Sequence, residues 1–300
     1  MVLDSIGVTG ASGMLGRHII ADLAYHQIPT VSVSRPSGKQ RGEAHWDLMR
    51  WGSLEMLDRL LPGVTQVVHA GAYVPDGPIR DEAGMFDSNV RACFNLSEWA
   101  KARSVRIIFI SGAIVYKDPY AEMNSEVSST GYSDIAGLYE WSKIMAEDIL
   151  ARQAEHGLKL SIVRPTSIYG YGLSATKMVS RFLNLAANKQ EIRISQPVMD
   201  KFDLIHASDV ASAVTAIIKK NVGGIFNIGA GRTVSLEEIA HNCVKVAGSG
   251  RVVVDDSESK KRLPRTLFSV NCNYTAEQLQ WQCKVDLETG LRRMIEKKCF

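Results

Sequence analysis

The sequence predicts an α/β fold, a doubly wound parallel sheet with a smaller C-terminal lobe, and three observations carry that prediction. A glycine-rich turn joins an apolar strand to a helical pattern around residue 10. Apolar runs of strand length then alternate with helical stretches long enough to cross between parallel neighbours. From about Tyr169 the alternation loosens into shorter, interrupted segments, as a second lobe would read. The boundaries are 1–168 for the main domain, with a strand and helix returning at about 203–246, and 169–202 with 247–300 for the lobe.

Taken in order, Ile6-Gly7-Val8-Thr9 is a buried strand that runs into Gly10-Ala11-Ser12-Gly13-Met14-Leu15-Gly16. Gly10 permits a tight turn, Gly13 lets the backbone approach a pyrophosphate, and Gly16 lets the helix pack on the strand. The free N–H groups at the start of that helix face an anion. A glycine-rich corner without a ligand is the plainer reading of the triplet alone. A helix over 13–25, a strand over 29–34 and a polar turn over 35–39 follow. Next come a short helix over 53–60, a strand over 66–69, an amphipathic segment over 85–102 and a strand over 106–110. The stretch 117–133 is rich in Ser, Pro, Asp and Glu, and is long enough to form a rim or lid. A helix over 135–156 and a strand over 159–163 complete the regular part. Strands over 202–206 and 224–228 and helices over 208–220, 235–246 and 287–298 are expected beyond it.

Composition narrows the functional classes. A net charge of +3 over 300 residues, with basic residues scattered, gives no nucleic-acid face. No apolar run approaches the ~20 residues of a membrane span. Five cysteines, odd in number and never spaced C-x-x-C, argue for reduced thiols in a cytoplasmic setting and against a metal site.

Tyr139 and Lys143 lie four residues apart, on one face of the helix that follows the fourth strand. A phenol titrates near ~10, and an ammonium one turn away favours the phenolate. A tyrosine tuned in this way can exchange a proton with an alcohol while hydride moves between the alcohol's carbon and a nicotinamide. An exposed tyrosine–lysine pair is the blander reading of that spacing.

Together these features resemble the extended short-chain dehydrogenase/reductase family, NAD(P)-dependent and of Rossmann type, in its nucleotide-sugar epimerase/dehydratase branch. The resemblance implies that Gly10, Ser12, Gly13, Met14, Leu15 and Gly16 cradle the dinucleotide. It also implies that Asp47 and Leu48 contact its adenine and that Ala70, Gly71 and Ala72 pass beside it. Asn89 matches the asparagine that braces the central helix, and Arg164-Pro165-Thr166-Ser167-Ile168-Tyr169-Gly170 matches a turn between cofactor and substrate. Pro165 and Ile168 of that turn would touch the cofactor, and Ser167 the substrate. The second strand ends in Ser34-Arg35 with Lys39 behind it, where an NAD reader carries a carboxylate. A hydroxyl and a guanidinium suit a 2′-phosphate, so NADP is preferred over NAD.

Three departures qualify the activity. Gly112 stands where the family carries a catalytic hydroxyl, leaving Ser111 or a water to polarise the substrate oxygen. Ala113-Ile114 replaces the acidic pair of the sugar dehydratases, which disfavours 4,6-dehydration. Phe202 replaces an arginine that clamps a substrate diphosphate, a role left to Lys201, Lys261, Arg262 or Arg265, and an asparagine has become Ser167. The expectation is an NADP- or NAD-linked epimerase or ketoreductase of a small-molecule substrate, a sugar carried on a nucleotide. Tyr139 is its acid/base, Lys143 its ribose-holding cation and Ser111 its polarising hydroxyl. A reductase of a simple ketone or aldehyde, and a dinucleotide-binding sensor that has lost catalysis at Gly112, are the alternatives. The family's helix pairing implies a homodimer, with Phe86, Val90, Phe94 and Leu96 offered to its face.

Overall fold

β1 (Ser5–Thr9) sits inside a seven-stranded sheet whose registered pairs are all parallel. The computed structural model describes residues 5–35, 44–50, 52–79, 81–194, 200–254 and 265–300. β2 (Thr30–Ser34) and the two-residue β3 (Ala44–His45) extend the sheet on one side of β1. On the other side lie β4 (Val64–His69), β5 (Arg106–Ile110), β6 (Leu160–Pro165) and β10 (Gly224–Ile228). Strands covered on both faces read as near-continuous apolar runs, which is why Arg106–Ile110 was legible as a strand.

α1 (Met14–Tyr25) and α7 (Ala207–Lys220) cover one face through Ile19, Leu23, Val210, Val214 and Ile217. α2 (Leu54–Leu60), α4 (Ala92–Ala102) and α5 (Leu138–Glu155) cover the other through Leu57, Leu96, Trp99 and Leu150. The strand order reverses between β1 and β4, and the carboxyl ends of those two strands open the crevice in which such sheets bind ligands.

The amphipathic segment over 85–102 is not one helix. α3 (Glu82–Phe86) passes through a π turn at Asp87–Arg91 before α4 begins. Val90 and Leu96 are buried within the protomer, while Phe86 and Phe94 are exposed.

The lobe has its own sheet, in which β9 (Lys201–His206) pairs with β7 (Ser167–Tyr169), β11 (Thr233–Ser235) and β13 (Thr266–Leu267). β8 (Glu191–Ile194) pairs with β12 (Arg251–Val254). α6 (Met178–Ala187), α8 (Leu236–Ala247) and α10 (Leu287–Ile295) share a core around Phe182, Ile239 and Leu291, and α9 (Asn273–Leu279) packs beside β10. The return to the main domain is therefore narrower than 203–246. α7 and β10 join it, whereas β9 stays in the lobe sheet and the apolar stripe of α8 turns to α6.

The 117–133 stretch is tied down as a rim. Glu126 Oε1 accepts from the Asn227 amide at 3.1 Å and from Thr275 Oγ1 at 3.4 Å, and Asn227 Nδ2 donates to the Asn124 carbonyl at 3.0 Å.

Candidate active site

α5 begins where Gly137 takes φ 55, a backbone region that favours glycine. The fully buried Glu140, on the first turn, reaches back to accept from the backbone N–H groups of Ser133 and Ala136, joining the rim to the helix. Two further contacts pin α5 to the sheet. Lys143 Nζ donates to the Ile110 carbonyl at 2.9 Å, and Arg164 Nη2 meets Glu147 Oε2 at 2.6 Å in a buried ion pair. The Arg164 side chain thus turns to α5 rather than into the crevice.

Tyr139 is held through its backbone. Ser142 Oγ donates to the Tyr139 carbonyl at 2.7 Å, and Asn89 Nδ2 donates to Ser142 Oγ at 2.9 Å. The same asparagine accepts from the Tyr73 amide at 2.6 Å and donates to the Tyr73 carbonyl at 3.0 Å. Asn89 therefore links the loop after β4 to the helix of Tyr139, and the π turn that carries it places its side chain between them. π turns of this kind recur at functional sites.

The electrostatics differ from the sequence expectation. Burial pushes the Tyr139 phenol up to about 12, so Lys143 alone does not make it a phenolate. Burial also pulls the Lys143 ammonium down to about 8, against a smaller opposing pull from Cys93 and Glu147. Its Nζ lies 4.9 Å from the ring centroid of Phe109 on β5.

Ser111 follows β5 directly; its amide donates to the Val163 carbonyl at 2.8 Å, and its buried Oγ has no partner. Gly112 has an extended backbone, φ 179 and ψ 157, and a Cβ built there meets nothing closer than Ile114 Cγ2 at 3.5 Å.

The glycine turn after β1 leaves no room for side chains at Gly10 or Gly16. Gly10 has φ +70, and a Cβ on it would stand 2.6 Å from the Gly71 backbone. A Cβ on Gly16 would overlap the Gly10 carbonyl oxygen. α1 starts at Gly13 with no side-chain cap and no acid in its first turn, so its leading N–H groups are offered to an anion. Leu48 packs against Gly71, where an added Cβ would lie 2.9 Å from its Cδ1, and Asp47 caps the short turn that follows. Ser34 is buried with its hydroxyl unpartnered, and Arg35 is exposed behind it.

Other expected residues are dispersed. Lys201 is exposed on β9, and Phe202 packs against the lobe core. The Arg265 guanidinium lies 4.7 Å over the Tyr120 ring on the rim. Lys39, Lys261 and Arg262 lie outside the described residues.

A strap not foreseen in the sequence crosses from the main domain to the lobe. Asp76, in the loop after β4, accepts from Ser174 Oγ at 2.7 Å and from Thr176 Oγ1, while Lys177 Nζ donates to the Pro75 carbonyl at 2.6 Å. Its members are about a hundred residues apart, so no local spacing could have revealed it. Ser142, three residues from Tyr139, did carry a local signal.

The NAD dependent epimerase/dehydratase family matches residues 6–229. The chain belongs to that family. Among its relatives is the UDP-glucose 4-epimerase of Azospirillum brasilense, 27% identical over 95% of this chain and 89% of that one. The GDP-6-deoxy-D-mannose reductase of Pseudomonas aeruginosa is 24% identical over 96% and 95%. In fold, the chain is similar to the UDP-glucuronic acid 4-epimerase of Bacillus cereus, solved with UDP-glucuronic acid and NAD. The TM-score is 0.82 at 19% identity, covering 98% of each chain. All five cysteines are free, and among the described residues no helix is long and apolar enough to cross a membrane.

Proposed function

We propose that this member of the family is an NAD(P)-dependent epimerase or reductase of a nucleotide-linked sugar, with Tyr139 as its acid/base. The observation that carries the reading is the group gathered where β5 meets α5. There Tyr139 is fixed through Ser142, Lys143 is buried against the Ile110 carbonyl, and a buried Ser111 hydroxyl is left without a partner. The sugar and its nucleotide are supported by the relatives, which are named for UDP-glucose and GDP-6-deoxy-D-mannose. The glycine turn and the head of α1 would hold the pyrophosphate, Asp47 and Leu48 the adenine end, and Lys143 the nicotinamide ribose. A bound nicotinamide supplies the acceptor or donor of hydride. Tyr139, its phenol raised by burial, is ready to give a proton to a keto oxygen; to accept one it would need the cation of a bound cofactor beside Lys143. Ser111 donates a hydrogen bond to that same oxygen.

Ser34 and Arg35, with no carboxylate at the end of β2, support NADP over NAD. Ala113 and Ile114 cannot serve as acid or base, so 4,6-dehydration is disfavoured. Exposed Phe86, Phe94 and Trp141 on α3, α4 and α5 support a homodimer through those helices, and free thiols fit a cytoplasmic setting.

Tyr139→Phe is expected to lower turnover on a panel of UDP- and GDP-sugars by about 10²–10⁴-fold while leaving dinucleotide affinity intact. Undiminished turnover would overturn the assignment of the acid/base. Gly112 favours a second reading, a dinucleotide-binding protein without catalysis. Tight NADPH binding by the wild type, with no turnover of any sugar nucleotide, ketone or aldehyde, would select it.

A further inference from the structure

We infer that residues 170–177 form a strap across the mouth of the dinucleotide crevice, latched by Asp76, and that this latch sets how fast the dinucleotide enters and leaves. The inference rests on the cofactor reading above and adds a gate that the reading does not require. The crevice opens at the carboxyl ends of β1 and β4, so α1 stands on one side of it and the loop after β4 on the other. One segment of the lobe touches both sides. Gly172, at φ +91, sits against the head of α1, where a Cβ on it would stand 3.7 Å from Met14 Cα and 3.6 Å from Arg17 Nη1. Two residues on, Ser174 Oγ donates to Asp76 Oδ2 at 2.7 Å and Thr176 Oγ1 donates to Oδ1 of the same carboxylate. Lys177 Nζ closes the set on the Pro75 carbonyl at 2.6 Å. A dinucleotide held by the glycine turn and the head of α1 has to pass between these two sides.

Two observations mark the strap as a gate rather than a fixed wall. First, its two roots are anchored while the joint between them is not. On the lobe side, Leu173 packs against the lobe core and its carbonyl accepts from Ser180 Oγ of α6 at 3.1 Å. On the other side, Asn89 pins the loop after β4 at the Tyr73 amide and carbonyl. Among the described residues, no backbone–backbone hydrogen bond joins 72–79 to 170–177, so the latch is made by side chains. Second, the latch faces water. Asp76 and Thr176 are exposed, and Val74 beside them is 54% exposed, so opening strips no apolar core. Bonds of this kind exchange for water at small cost, and the parts of a fold they hold are the first to open. Opening is then a swing of residues 74–79 away from Ser174 and Thr176, with Tyr73 as the pivot.

The direction of the effect follows from the partners. Every group in the latch belongs to this chain, so it closes on the free and on the loaded protein alike. Loosening it should therefore speed entry and exit together and leave the equilibrium between them in place. A group that touched the dinucleotide would behave differently, since its loss would speed exit alone.

The test is stopped-flow fluorescence of the full-length wild type, Asp76→Ala, Asp76→Asn and Lys177→Met, with NADPH and NADH binding followed by energy transfer from tryptophan and release followed by displacement with excess NADP⁺ or NAD⁺. Asp76→Ala should raise both the association and the dissociation rate by about tenfold and hold Kd within about twofold, with Asp76→Asn, which keeps one acceptor oxygen, between it and wild type. Lys177→Met should shift both rates in the same direction. Unchanged rates in Asp76→Ala would overturn the inference. So would faster dissociation with association unaltered, which would place the strap on the bound dinucleotide instead of across its path. A wild type that binds neither dinucleotide removes the cofactor reading and this inference with it, whereas tight binding with rates indifferent to Asp76 keeps that reading and removes the gate.

Discussion

Gly112 uses none of the conformational freedom that glycine offers. Its backbone is extended, and the space where a Cβ would stand is open to ordinary contact distance. Gly112→Ser should therefore fold with a stability change within about 0.5 kcal/mol. If a second hydroxyl is what the reacting oxygen lacks, kcat should rise by about tenfold or more, measured by NADPH oxidation with a sugar-nucleotide substrate. Asp203 gives a second prediction at this scale. Burial raises its carboxyl to about 6, although the Ala230 amide and Thr166 hydroxyl pull the other way; Oδ2 is buried without a partner. Between pH ~4 and ~6 the folded chain keeps a proton that the unfolded chain has released, so stability falls as pH rises through that window. The loss is roughly 3 kcal/mol, and Asp203→Asn should flatten that slope in urea unfolding followed from pH 4.5 to 7.5.

At the scale of elements, the Asn89 bridge decides how α5 presents Tyr139. Asn89→Ala leaves the Tyr73 amide and the Ser142 hydroxyl each short of a partner. It should cost about 1–3 kcal/mol in urea unfolding and lower kcat more than it raises KM. Asn89 was legible in the sequence, but the π turn around it was not. The apolar period over 85–102 continues through the irregularity, because what breaks the helix is a polar side chain drawn toward Tyr73 and Ser142. The glycine turn and the Tyr139/Lys143 spacing were readable because each is a local geometric requirement. Asp76 was not, since its partners lie about a hundred residues away and only the fold brings them near. The Tyr139 phenol lies above its ordinary value rather than below it, because burial acts on it while the Lys143 Nζ is bonded to the Ile110 carbonyl.

Across the whole molecule, the main sheet followed from sequence because its strands, buried on both faces, are apolar throughout. The lobe strands were largely missed. β7, β11 and β13 are two or three residues long, and their pairing is set by β9 rather than by their own composition. At this scale, sedimentation should give twice the monomer mass, and Phe94→Glu, on the exposed side of α4, should return it to one. The near-contact of Gly10 with Gly71 has its own consequence. Two loops that leave neighbouring strands touch peptide to peptide, with no side chain between them to act as a cushion. The floor of the crevice is thus a single stiff plate, one chain thick. Whatever breathing admits a guest has to be done by the opposite wall, where a carboxylate and two hydroxyls, all facing water, form the fastening.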